Sequence, residues 1–285
     1  MLARHPLVQT ALTPDYETMR YLLRLYFRLI GAQIRSEMQY RASLVAETIG
    51  AFVITALDFV AIVILLGRFQ AIDGWTLPEV VFLYGVSTIS FSIAELNAGG
   101  FDYFDQIVVR GDFDRLLIRP LGTVFQMLTE AWPLRRFGRL AQGVIALVFA
   151  LTLLQPNWST FQWAFLAITI CGGAMLFFSI FVVGSTACFW SPQTSELTNV
   201  FTYGGQFMTS YPMSIYERWM RALFTFVIPM AFISYYPSLY LLDKPDPFGL
   251  PAWMPFLSPF VAVIVFVGAL AIWRFGVSHY QSTGS

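Results

Sequence analysis

Thirty residues decide how this chain must fold. Phe161-Gln-Trp-Ala-Phe-Leu-Ala-Ile-Thr-Ile-Cys-Gly-Gly-Ala-Met-Leu-Phe-Phe-Ser-Ile-Phe-Val-Val-Gly-Ser-Thr-Ala-Cys-Phe-Trp190 contains no Asp, Glu, Lys or Arg. A helix rises about 1.5 Å per residue, so about 20 such residues cross the roughly 30 Å of a bilayer's hydrocarbon. This run is long enough to cross with a tilt. Comparable stretches occupy Leu44 to Leu66, Pro78 to Gly99, Leu140 to Leu154 and Pro255 to Trp273, and a more polar one covers Glu196 to Tyr211. The third is short as bounded and is expected to begin nearer Trp132. The chain is 57% hydrophobic and 12% charged, against about 45–50% and about 25% in soluble domains. The expected fold class is therefore all-α, a polytopic membrane protein with six transmembrane helices.

The remaining composition narrows the function. Formal net charge is zero, so no global field points to nucleic acid or an acidic substrate. Cys171 and Cys188 fall in one apolar stretch, about 25 Å apart on a straight helix, and read as packing residues instead of a disulfide. His5 and His279 lie near opposite termini, and no metal site is expected. Arginines interrupt the first forty-one residues too often for a cleavable signal peptide. Beyond a tail over 1–14, residues 15–41 read as an amphipathic helix lying in the membrane interface, the alternative being a soluble arm that packs on a partner. Arg20, Arg24, Arg28 and Arg35 form its polar stripe; Leu22, Leu25, Tyr26, Leu29 and Ile30 form its apolar face.

With six spans, thirteen of the seventeen basic residues fall on the N-terminal side of the membrane and four on the other. By the positive-inside rule both termini are cytoplasmic. Residues 222–242 are apolar enough to span but contain Pro229, Ser234 and Pro237, and read either as a seventh helix or as a re-entrant hairpin. Charge does not choose, because the basic count is the same for both.

The stretch richest in function is Phe101-Asp-Tyr-Phe-Asp-Gln-Ile-Val-Val-Arg-Gly-Asp-Phe-Asp-Arg-Leu-Leu-Ile-Arg-Pro-Leu121. Phe101, Phe104, Ile107 and Val108 follow helical spacing, and Gly111 suits the end of that helix. Asp112 is placed to cap a second short helix, which Pro120 stops. Asp102, Asp105, Asp112 and Asp114 are set among Arg110, Arg115 and Arg119. A nearly neutral, charge-rich amphipathic hairpin suits docking to a protein better than to anionic lipid alone; composition equally allows an ordinary solvated loop.

This stretch, with Arg135-Arg136-Phe-Gly-Arg139, Gln142-Gly143 and the ending Trp273 to Ser285, resembles the permeases of ABC type-2 exporters. In particular it resembles a family of bacterial permeases that pair with a separate ATPase. The resemblance runs from about Met19 to Ser285. It implies a permease domain over 15–285 with six spans, the interfacial N-terminal helix, and a re-entrant pair before the last span, over 222–242. It also implies a coupling helix within 101–121, assigned to Phe101, Phe104, Asp105, Ile107, Val108, Arg110, Gly111, Asp112, Asp114 and Arg115. The chain has no phosphate-binding loop of the Gly-x-x-x-x-Gly-Lys-Ser/Thr kind. The resemblance thus implies a partner ATP-binding subunit that holds ATP and Mg, and a second permease, identical or related, in a bacterial inner membrane. The chain itself is expected to bind no cofactor and to be no enzyme.

Acids inside spans face protein or a water-filled cavity, since a charge near the bilayer centre costs roughly 2.5–3.5 kcal/mol on insertion scales. Asp58 is the deepest. Glu47 and Glu95 lie near the same ends of spans one and two, at a depth where they can face one another. Asp58 and Glu95, with an aromatic wall of Phe201, Tyr203, Phe207 and Tyr211, are candidates for a path taken by a hydrophobic or amphipathic, cationic or drug-like solute. The plainer reading has each acid neutralised by a helix partner and the aromatics in a packing core. A different class of function, a proton-coupled secondary transporter, would use Asp58 and Glu95 as carriers; an inverted repeat would support it, and none is seen.

Overall fold

In hydrocarbon every backbone N–H and C=O must find its partner within the protein, and helices do this within one segment. The computed structural model describes residues 16–69, 71–191 and 194–281, and helices dominate it. The expected tail over 1–14 lies outside the described residues. In chain order the helices are α1 (Tyr16–Glu37), α2 (Arg41–Phe69), α3 (Leu77–Asn97), α4 (Gly99–Asp102), α5 (Phe104–Val109), α6 (Asp112–Leu117) and α7 (Thr123–Glu130). After them come α8 (Phe137–Leu154), α9 (Thr160–Ala187), α10 (Ser195–Thr209), α11 (Arg218–Ala222), α12 (Tyr235–Leu241) and α13 (Ser258–Ser278). A small antiparallel hairpin, β1 (Ala71–Ile72) and β2 (Trp75–Thr76), turns through Asp73-Gly74 between α2 and α3.

The protein is an all-α polytopic membrane protein. Five helical stretches, those holding α2, α3, α8, α9 and α13, are long and apolar enough to cross a membrane. The third begins at Leu134, six residues before the sequence bound, once the 3-10 turn over Leu134–Arg136 is included. The sixth expected span, Glu196 to Tyr211, is the helix α10. At 15 residues it is about 22 Å long, shorter than the hydrocarbon core.

The centre of the bundle is α3, in which every residue from Val80 to Ser92 is buried. Thr76 and Glu79 close a reciprocal capping box at its start. Gly85 lets α8 approach it backbone to backbone: a Cβ there would stand 2.8 Å from the amide nitrogen of Leu147. By contrast α2, α8 and α13 leave long apolar faces exposed, such as Ile49, Val53 and Leu57 on α2 and Val263, Ile264 and Val267 on α13. Lipid is the solvent these faces suit.

The stretches Arg218–Val227 and Met230–Leu241 meet at 77°. Their turn lies deep, with Ile233 against Gly173 near the middle of α9 and Ser234 Oγ donating to the Thr209 carbonyl at 2.6 Å. Their far ends return to one end of the bundle. Arg221 and Asp73 of the β-hairpin border the same cavity, and Trp158 Nε1, just before α9, donates to the Leu241 carbonyl at 2.8 Å. The loops carrying Asp73 and Trp158 are at the same end, so the far ends of both stretches lie on one side of the bundle. The single lysine helps to close that end: Lys244 Nζ donates to the Gly74 carbonyl at 2.8 Å, pairs with Glu79 at 3.0 Å and lies over the Trp75 ring.

Along α1, Arg20, Arg24 and Arg28 are exposed while Ile30 is buried. Tyr26 OH donates to Asn97 Oδ1 at 2.9 Å, and Gln33 Nε2 donates to the Glu130 carbonyl at 2.8 Å. The apolar stripe of α1 therefore sits over the end of α3 and α7, with the arginines turned away.

Candidate functional site

At the end opposite Lys244, α3 runs almost directly into α4, and the two carry Glu95 and Asp102. Across from them the 3-10 turn before α8 carries Arg136, and α8 itself carries Arg139. Arg136 Nε lies 3.3 Å from Glu95 Oε1, and its Nη2 lies 2.5 Å from Asp102 Oδ2. Its Nη1 donates to the Glu95 backbone carbonyl. Arg139 Nη1 holds the other Glu95 oxygen at 2.8 Å. From α10, Tyr203 OH donates towards Glu95 Oε1 and Asp102 Oδ2, each at 3.2 Å. Two acids and two arginines give a neutral cluster. Its centre is nearly dry, with 6% of the Arg136 side chain and 5% of the Glu95 side chain exposed. Charges this deep persist only when paired and hydrogen-bonded on all sides.

A more exposed second layer continues the cluster. Arg135 Nη1 pairs with Glu47 of α2 at 3.2 Å, and Arg135 Nη2 donates to Tyr103 OH at 2.8 Å. Glu47 and Glu95 thus do not face one another; consecutive arginines, Arg135 and Arg136, hold one each. Helices α2, α3, α4, α8 and α10 are tied together at this point.

The segment after α4 is a helical hairpin. Gly111, at φ +71°, sits where α5 has ended and acts as the N-cap residue of α6. Asp112, expected as that cap, is instead the first residue of α6 and pairs with Arg115 across one turn at 3.4 Å. The glycine takes the cap position because it alone enters the left-handed region without strain.

The residues that the resemblance assigns to coupling do not all face outward. Phe101, Phe104, Val108 and Phe113 are buried in the protein itself. Their rings interlock with Phe189 after α9 and Trp273 of α13, for example Phe101–Trp273 at 5.0 Å and Phe104–Phe189 at 5.0 Å. Tyr280 of the tail lies 4.9 Å from the Phe113 ring. Burial first, and the Asp114 carboxylate second, push its phenol above the ordinary range. Ser185 Oγ donates to the Phe101 carbonyl at 2.6 Å, and Trp273 Nε1 donates to Thr123 Oγ1 at 3.0 Å. The outward side carries Val109, Arg110, Arg115, Leu117, Ile118 and Arg119, with Ile118 84% exposed and Val109 62% exposed. Asp105, Ile107, Gly111, Asp112 and Asp114 lie at intermediate depth between the two sides.

The remaining candidates are dispersed. The side chain of Asp58, in α2, lies outside the described residues. Glu95 and Tyr203 belong to the charged cluster. Phe201 borders an apolar cavity between α9, α10 and α13. Phe207 is 54% exposed on another face of α10, with Tyr211 5.5 Å away. The residues that spacing did not single out as a site are Asp102, Arg136 and Arg139, whose partners are 34 to 44 positions distant, and the exposed Val109, Leu117 and Ile118.

This arrangement suits the transmission of force. The hairpin cannot shift as a body without dragging the ends of α9 and α13 through its rings, or α8 and α10 through the ion pairs. The sequence profile of a family described as ABC-2 family transporter protein matches residues 52–284. No curated protein and no solved structure matches the chain.

Proposed function

Because this chain belongs to the ABC-2 family of transporter proteins, we propose that it is the membrane-embedded permease subunit of an exporter for hydrophobic or amphipathic solutes. ATP and Mg are bound and turned over on a separate subunit, and the permease works beside a second copy or a related chain. The one observation that carries this reading is the hairpin over 101–121. It has a rigid aromatic inner side locked to α9 and α13, an exposed outer side of mixed Val, Ile, Leu and Arg, and a neutral ion cluster at its root joining α3, α8 and α10. A partner that moves the outer side moves five helices.

With both termini cytoplasmic, the hairpin faces the cytoplasm of a bacterial inner membrane, and the Lys244 end faces outward. The solute path in this reading follows Asp58 on α2 and the exposed face of α10, with Phe207 and Tyr211, against the second permease. Glu95 serves the cluster: two guanidinium groups already hold it, which speaks against a free proton carrier there. Affinity purification of the tagged chain from its own membranes, with mass spectrometry of what accompanies it, tests this. An ATP-binding subunit is expected in the complex. A stable complex without one, reproduced in nanodiscs, would overturn the reading.

A further inference from the structure

The apolar cavity beside Phe201 has a shape that the force-transmission account does not use. It is about 420 Å³ in volume, lies between α9, α10 and α13, and is bordered by the turn Ile228-Pro229-Met230. Its wall on α9 runs from Leu176 to Ala187, eleven residues apart, or about 16 Å of helix axis. That is close to half of a hydrocarbon core of roughly 30 Å, the depth of one leaflet. One end lies near mid-bundle, where the re-entrant turn packs on Gly173 and Gly205. The other end lies by Trp190, which is exposed and stacked on Phe275 as a residue at headgroup level would be.

The lining is apolar in effect. Its hydroxyls are already committed: Ser179 Oγ donates to the Met175 carbonyl at 2.7 Å, Thr194 Oγ1 to the Ser191 carbonyl at 2.6 Å, and Thr198 Oγ1 to the Thr194 carbonyl at 3.1 Å. Such a site offers a ligand no polar contact and selects for hydrocarbon. Val183, Val227 and Phe201 border it and are partly exposed, so it opens sideways onto the face bathed by lipid. A narrow recess with one leaflet's length and a lateral mouth matches a single acyl chain better than the side of a second protein, which would need a broad surface.

We propose that this recess is a binding site for one acyl chain of a phospholipid from the leaflet on the hairpin side. The chain fills the space between α9, α10 and α13 and seats the re-entrant turn.

The full permease complex in nanodiscs of phosphatidylcholine, doped with phosphatidylcholine carrying a diazirine on one acyl chain, tests the proposal. After photolysis, labelled peptides from α9, the start of α10 and 227–230 should exceed those from the outer face of α8 around Val144 and Val148 several-fold. Ala187→Trp, which fills the recess, should remove that excess and leave α8 labelling unchanged, while Val144→Trp should do neither. Labelling of the recess no greater than of α8, or undiminished by Ala187→Trp in a complex of normal stability, would overturn it. So would an intermolecular disulfide through Val183→Cys in a Cys171→Ser background, which would make the recess a contact between copies.

Discussion

Arg136 Nη2 stands 2.5 Å from Asp102 Oδ2, so the start of α8 is tied to the helix that carries α3 into the hairpin. The same guanidinium reaches Glu95, and one side chain thereby joins three parts of the fold. Removing it would leave Asp102 with no guanidinium partner, and Glu95 with Arg139 alone, in a site with almost no water.

Arg136→Met is therefore expected to destabilise the protein by about 3–5 kcal/mol, the cost of breaking a buried pair from one side. Unfolding in mixed micelles would measure it. Adding Asp102→Asn to Arg136→Met should cost less than the two singly, because the acid no longer lacks its partner. Strict additivity would mean the pair does not interact.

The two sides of the hairpin should respond differently. Phe104→Ala empties a buried aromatic site and should cost about 3–5 kcal/mol. Ile118→Glu and Val109→Glu alter exposed residues and should shift stability by no more than about 0.5 kcal/mol, yet sharply reduce ATP-dependent transport. Full transport in proteoliposomes by both Glu variants would remove the docking role of that side.

Gly111→Val places a β-branched residue at φ +71°. The strain should be of order 1–3 kcal/mol, and under the proposed coupling role ATP turnover by the complex should persist while transport falls. Equal loss of both would point to simple misfolding of the hairpin.

Along the solute path, Phe207→Ala and Asp58→Asn should leave assembly intact and change which solutes are carried. Asp58→Asn should lower transport of organic cations more than of neutral solutes. Unchanged transport across a panel of both kinds would take Asp58 off the path.

Much of this fold was legible in residue patterns. Charge-poor apolar runs located five spans, the four-residue spacing of arginines located the exposed stripe of α1, and Gly111 marked the break between α5 and α6. What periodicity does not encode is what an apolar stripe faces. Phe101, Phe104 and Val108 have the spacing of an amphipathic helix whether that stripe meets a partner or, as here, α9 and α13. Ion pairs between residues some forty positions apart leave no local trace, so Arg136 and Arg139 were visible only as basic residues. The proline-interrupted stretch 222–242 allowed both a span and a hairpin from composition, and only the resemblance favoured the hairpin. Its deep turn and shared outer end are tertiary facts.

In the proposed assembly the outer side of the 101–121 hairpin meets the ATPase. A photo-crosslinking residue at position 118 in the complex, in its own membranes, reports on that contact. A crosslink to a subunit bearing a phosphate-binding loop is expected, with a yield that changes when ATP is added. Crosslinks to lipid alone, or to no ATP-binding subunit while one is present in the complex, would contradict it.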